Sequence, residues 1–89
     1  MACSKFTPEQ LGNEVIAAVQ QFHPGHQVTA QTSFSADLGE NAPLAPKYFV
    51  LIQRSVTQAG CQFNGNAGAF ANCGTVQDMI DLTVAATSC

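Results

Sequence analysis

Eighty-nine residues make one domain, 1–89, with room for a modest core. Only 10% of the residues are charged, the net charge is −3, and the cations Lys5, Lys47 and Arg54 are scattered, which excludes a binder of nucleic-acid backbone. No apolar run approaches the roughly 20 residues of a membrane span, and Met1-Ala2-Cys3-Ser4-Lys5 opens without the apolar stretch of a signal peptide, so the expected location is cytoplasmic.

The first helix is predicted to start after Thr7. Thr7-Pro8-Glu9-Gln10 offers a hydroxyl at the N-cap, proline at the first helical position and glutamine at the third for a reciprocal cap. Leu11, Val15, Ala18, Val19 and Phe22 recur at helical spacing and predict one apolar stripe. His23-Pro24-Gly25 ends it, because the residue before proline is driven out of the α region. Residues 24–41 have no sustained period. Val28, Phe34 and Leu38 punctuate a polar run, and a loop this long in a small domain is expected to be ordered and functional.

The second helix is predicted from Pro43 to about Ala59. Pro43 and Pro46 fall where helical N–H groups have no internal partner, so they remove little. Tyr48, Phe49, Ile52 and Val56 form its stripe, Val50 and Leu51 widen it, and Gly60 suits the position after its cap. Residues 61–74 read as a loop with a short helix over Ala67–Ala71, anchored by Phe63 and Phe70. The last helix begins at Thr75, with Asp78 completing the cap and Asp78 and Asp81 placed where the helix dipole favours negative charge. Val76, Ile80 and Val84 make its stripe, with Met79 and Thr83 beside it. The sum is an all-α bundle of three main helices and one short one, with a long loop between the first two.

Four cysteines leave two arrangements open: thiols in a reducing compartment, or a secreted domain stapled 3–89 and 61–73. No CxxC spacing supports zinc. His23 and His26 are read as solvated loop histidines rather than metal ligands, and Asp37 and Glu40 as an acidic rim before a helix N-terminus. Cys61 or Cys73 as a nucleophile has no histidine close in sequence.

Two stretches carry a resemblance. Thr32-Ser33-Phe34-Ser35-Ala36-Asp37-Leu38-Gly39-Glu40-Asn41-Ala42 resembles the modification loop of the acyl and peptidyl carrier proteins. Gly74-Thr75-Val76-Gln77-Asp78-Met79-Ile80-Asp81-Leu82 is similar to the opening of that family's last helix. The resemblance implies an acyl-carrier-like four-helix bundle. It also implies a cofactor, 4′-phosphopantetheine, held through a phosphodiester on the residue after the Asp/Asn. That attachment position is Ala42, where the family has serine, with Asn41 and Gly39 beside it and Leu44, Lys47 and Arg54 as partner contacts.

What is implied is a freestanding acyl or peptidyl carrier protein of a fatty-acid, polyketide or nonribosomal-peptide pathway, and not an enzyme. Its partners would be a phosphopantetheinyl transferase and synthase or ligase enzymes, with the carrier itself monomeric. Alanine has no nucleophile, so as written the chain cannot be phosphopantetheinylated. Three readings of Ala42 stand: a natural serine replaced to block modification, a carrier relative that no longer carries, or another serine in use. Ser33 and Ser35 precede Asp37-Leu38-Gly39 and do not fit the motif. Typical fatty-acid carriers have an acidic second helix, whereas no Asp or Glu occurs here between Glu40 and Asp78. That weighs toward a peptidyl or specialised polyketide carrier. Pro43, where the family commonly has leucine, is a further departure. The alternative is a degenerate carrier-fold module that binds a pathway enzyme or a lipid without cargo.

Overall fold

The computed structural model describes residues 7–39 and 45–88. Four helices account for most of it, in the order α1 (Pro8–Phe22), α2 (Ala45–Gln58), α3 (Ala67–Ala71) and α4 (Val76–Ala86). Two two-residue strands, β1 (Gln62–Phe63) and β2 (Thr87–Ser88), pair antiparallel, with Gln62 opposite Ser88 and Phe63 opposite Thr87. The sheet was not expected, so the chain is a mostly helical bundle with a small clasp rather than all-α.

Helix starts follow local chemistry. Thr7 Oγ1 accepts from the Gln10 amide at 3.1 Å and Gln10 Oε1 accepts from the Thr7 amide at 2.9 Å, the reciprocal cap expected there. Thr75 and Asp78 cap α4 in the same way, and Asn66 Oδ1 accepts from the Gly68 amide to start α3. The end of α2 is a Schellman turn. The Gly60 amide donates to the Thr57 carbonyl and the Cys61 amide to the Val56 carbonyl, with Gly60 at φ +89°. The second helix was predicted from Pro43; positions 43 and 44 lie outside the described residues.

Packing places α1 against both α4 and α2, with α3 and β1 closing on α2. Leu11, Val15 and Val19 of α1 meet Tyr48, Ile52 and Val56 of α2 and Val76 and Met79 of α4 in one buried cluster. Phe49, Phe63 and Phe70 form an aromatic group with ring centroids 5.4 to 6.3 Å apart. Phe70 is therefore the buried anchor of its segment, and Phe63 is half-buried beside it.

Three stripe assignments are corrected. Val50 points outward and is 47% exposed, because the 14 residues of α2 have only one side facing the core. Phe22, at the last turn of α1, is exposed as well. In α4 the buried line is Val76, Met79 and Thr83, while Ile80 and Val84 are half-buried. Thr83 can lie at the centre because its hydroxyl donates to the Met79 carbonyl at 2.8 Å, as Thr87 does to Thr83. Among the described residues, no buried side-chain nitrogen or oxygen lacks a partner.

Candidate functional site

The site that the sequence singles out is the loop before α2, and the structure shows how it is held. Gln20, near the end of α1, reaches over the chain reversal. Its Nε2 donates to the carbonyls of His23 and His26, both at 2.6 Å, and its Oε1 accepts from the Val28 amide at 3.2 Å. Nothing in the spacing of Gln20 announced this role.

Beyond the reversal, the loop runs along the start of α4. The Val76 amide donates to the Thr32 carbonyl at 2.9 Å and the Gln77 amide to the Ala30 carbonyl at 2.8 Å. The Phe34 amide donates to the Gly74 carbonyl, and Ser33 and Thr75 form an antiparallel bridge. The Val76 and Gln77 bonds satisfy helical N–H groups that have no partner within the helix. The two stretches singled out by resemblance, 32–39 and 74–82, are thereby in direct contact.

Residues 33–38 form a turn closed by its own side chains. Ser33 Oγ accepts from the Ala36 amide at 3.2 Å, and Asp37 Oδ2 accepts from the Ser33 amide at 2.7 Å. Asp37 is exposed and closes the turn ahead of α2; Glu40 lies outside the described residues. Phe34 and Leu38 are buried and seat the turn on the core. Gly39 follows at φ +63°, a left-handed conformation that a side chain makes costly. An open cleft of about 400 Å³ lies alongside, lined by His26, Thr29, Gln31, Thr32, Asp37 and Leu38.

Asn41, Ala42 and Leu44 lie outside the described residues. Lys47 and Arg54 are exposed on α2, and Val50 falls between them at helical spacing. Lys47 Nζ stands 5.7 Å from the centroid of the Phe22 ring. One outward face of α2 therefore combines two cations with apolar surface from Val50 and Phe22, and the sequence reading missed both apolar members.

His23 is not the solvated residue expected. It is half-buried, with Nε2 3.2 Å from the Tyr48 hydroxyl, and its ring meets that of the exposed His26 edge-on at 5.8 Å. Among the described residues, no three His, Cys, Asp or Glu side chains gather as a metal site.

The cysteines depart from both expected arrangements. Cys61 is disulfide-bonded, which overturns four free thiols. Cys73 is a free thiol, which overturns a 61–73 bridge. Burial, and then the Asp78 carboxylate nearby, push the Cys73 thiol up to about 11. A protonated thiol and a bridged sulfur leave neither Cys61 nor Cys73 as a nucleophile at neutral pH.

The resemblance implies 4′-phosphopantetheine, whose phosphodiester needs a hydroxyl. Alanine at 42 has none. Ser33 and Ser35 both lie within the 33–38 turn, not at a helix start, and the Ser33 oxygen is engaged with Ala36. The residues present do not fit the group. No family model, curated protein or solved structure matches this chain. No described helix is long and apolar enough to cross a membrane.

Proposed function

We propose that this chain is a carrier-type helical module of the acyl and peptidyl carrier class, in a form that cannot take phosphopantetheine. The observation that supports the reading is the loop of 32–39 bonded along the start of α4, within the order long helix, long loop, long helix, short helix, long helix. In that class, serine at position 42 carries the arm, and the module presents an acyl or aminoacyl thioester to a transferase, synthase or ligase. The chain performs no reaction itself, acts as a monomer and resides in the cytoplasm on this reading. The Lys47, Val50 and Arg54 face of α2 suits a partner with an acidic rim around an apolar contact, the reverse of the charge used by acidic carriers.

The test is the intact mass of Ala42→Ser after incubation with coenzyme A and a promiscuous phosphopantetheinyl transferase, with the unaltered chain alongside. One added phosphopantetheine on the serine form alone is the expected result. No addition to either form overturns the carrier reading.

The disulfide at Cys61 favours a second reading, because such bonds persist in oxidising compartments and are rare in the cytosol. Here the same bundle is a stapled interaction module that binds a partner without cargo. Thiol counting without reductant, on protein recovered from its natural host, separates the two. A retained disulfide supports the stapled module, and four free thiols support the cytoplasmic carrier.

A further inference from the structure

β1 runs into α3 through Asn64, Gly65 and Asn66, which belong to neither element. Asn64 is exposed, and its backbone is fixed on the clasp side, where its amide donates to the Ala86 carbonyl at 2.8 Å. Asn66 is fixed on the helix side, where its Oδ1 accepts from the Gly68 amide at 2.8 Å. Gly65 lies between these two anchors. Among the described residues, neither its amide nor the Asn64 side chain has a hydrogen-bond partner.

Glycine at 65 is imposed by space. A Cβ there would stand 2.6 Å from the Phe63 ring and 3.0 Å from that of Phe49. Those rings pack on one another and on Phe70, so neither can withdraw without breaking up the aromatic group. Core packing thus sets the residue type that has no side chain directly after an exposed asparagine. Such a residue leaves its nitrogen open to the asparagine Cγ and has the widest choice of backbone angles. An attack within the chain also has no association entropy to overcome.

We infer that Asn64-Gly65 is a site of spontaneous modification whose only co-reactant is water. The Gly65 nitrogen gives up its proton and bonds to Asn64 Cγ. The Cγ–Nδ2 bond breaks, and Nδ2 leaves as ammonia with that proton. Water then opens the cyclic imide, its hydroxyl going to a carbonyl carbon and its proton to the Gly65 nitrogen. Opening at Cγ gives aspartate. Opening at the backbone carbonyl carbon gives isoaspartate, in which the main chain runs through Cγ. Each product adds a negative charge beside the clasp. Isoaspartate also puts an extra methylene between β1 and α3, which displaces Gly65 from the Phe63 ring and pulls on the Asn66 cap. The other described asparagines differ. The amide after Asn13 is bonded within α1, the Asn66 side chain is engaged in its cap, and the Cys73 amide after Asn72 donates to the Phe70 carbonyl at 3.2 Å.

Incubation of the folded protein at mildly alkaline pH, followed by reduction and peptide mapping, tests the site. Trypsin cuts after Lys5, Lys47 and Arg54, so the peptide 55–89 holds Asn64, Asn66 and Asn72. The expected result is a shift by the mass difference between a hydroxyl and an amino group, placed by fragmentation at Asn64. The rate should lie within about tenfold of that in the denatured, reduced chain, because a loop without hydrogen bonds opens at little cost. A greater slowing in the folded protein, or conversion at Asn66 or Asn72 as fast as at Asn64, overturns the proposal. Asn64→Gln keeps the backbone amide that bonds Ala86 and should leave 55–89 unshifted over the same period, and a shift that persists in it also overturns the site. The isolated isoaspartate form should melt below Asn64→Asp, which carries the charge without the methylene. Equal Tm values would refute the effect on the clasp.

Discussion

Tyr48 shows how much a single side chain organises here. Its ring is buried, with Phe22 edge-on at 5.5 Å and Phe34 stacked at 5.9 Å, so it joins α1, α2 and the long loop. Its hydroxyl stands 3.2 Å from His23 Nε2 at the edge of that contact. Cys73 is the residue whose protonation has a consequence for stability. The folded chain holds its proton up to about 11, whereas an ordinary thiol releases it at 9.0. Between those two values the unfolded chain carries fewer protons, so stability falls as pH rises from about 9 to 11. Denaturant midpoints across that range should decline more steeply for the unaltered protein than for Cys73→Ala, and equal slopes would refute the assignment.

At the scale of elements, the start of α4 is the joint of the molecule. Its free amides are shared out between its own cap and the long loop: Val76 and Gln77 donate to Thr32 and Ala30, and Asp78 to Thr75 Oγ1. Asp78 Oδ2 in turn accepts from the amides of Gly74 and Thr75 at 3.1 and 3.2 Å. Thr75→Ala is expected to cost about 1 kcal/mol, the usual value of an N-cap. The two halves of the box support one conformation, so Thr75→Ala and Asp78→Ala should not be additive. A double-mutant cycle in urea should give a coupling of about 0.5 kcal/mol or more, and strict additivity would mean that the two caps act independently. Loss of the cap also loosens the 32–39 turn, which amide exchange at Phe34 would report.

Across the whole molecule, Leu11, Val15 and Val19 are fully buried where α1 meets both α2 and α4. Leu11→Ala should therefore cost about 2–5 kcal/mol. It should lower one cooperative transition, with far-ultraviolet circular dichroism and tyrosine fluorescence coinciding. Separate transitions for the two signals would show that the C-terminal clasp melts by itself. Helix starts were legible in the sequence because their causes are local: Thr7 with Gln10 and Thr75 with Asp78 each bond within three residues. The helical period likewise identified the inward faces of α1 and most of α2. The candidate loop was legible as ordered from Phe34 and Leu38, and the missing hydroxyl at Ala42 is a matter of residue type alone. Other features depend on residues far apart in the chain, and no spacing encodes them. Tertiary packing alone decided that Val50 faces outward and that Thr83 rather than Ile80 is central in α4. It also set the loop on α4, His23 against Tyr48, and β1 beside β2, so that Cys61 is bridged while Cys73 stays free. Gly65 belongs with these, since a Cβ there would stand 2.6 Å from the Phe63 ring.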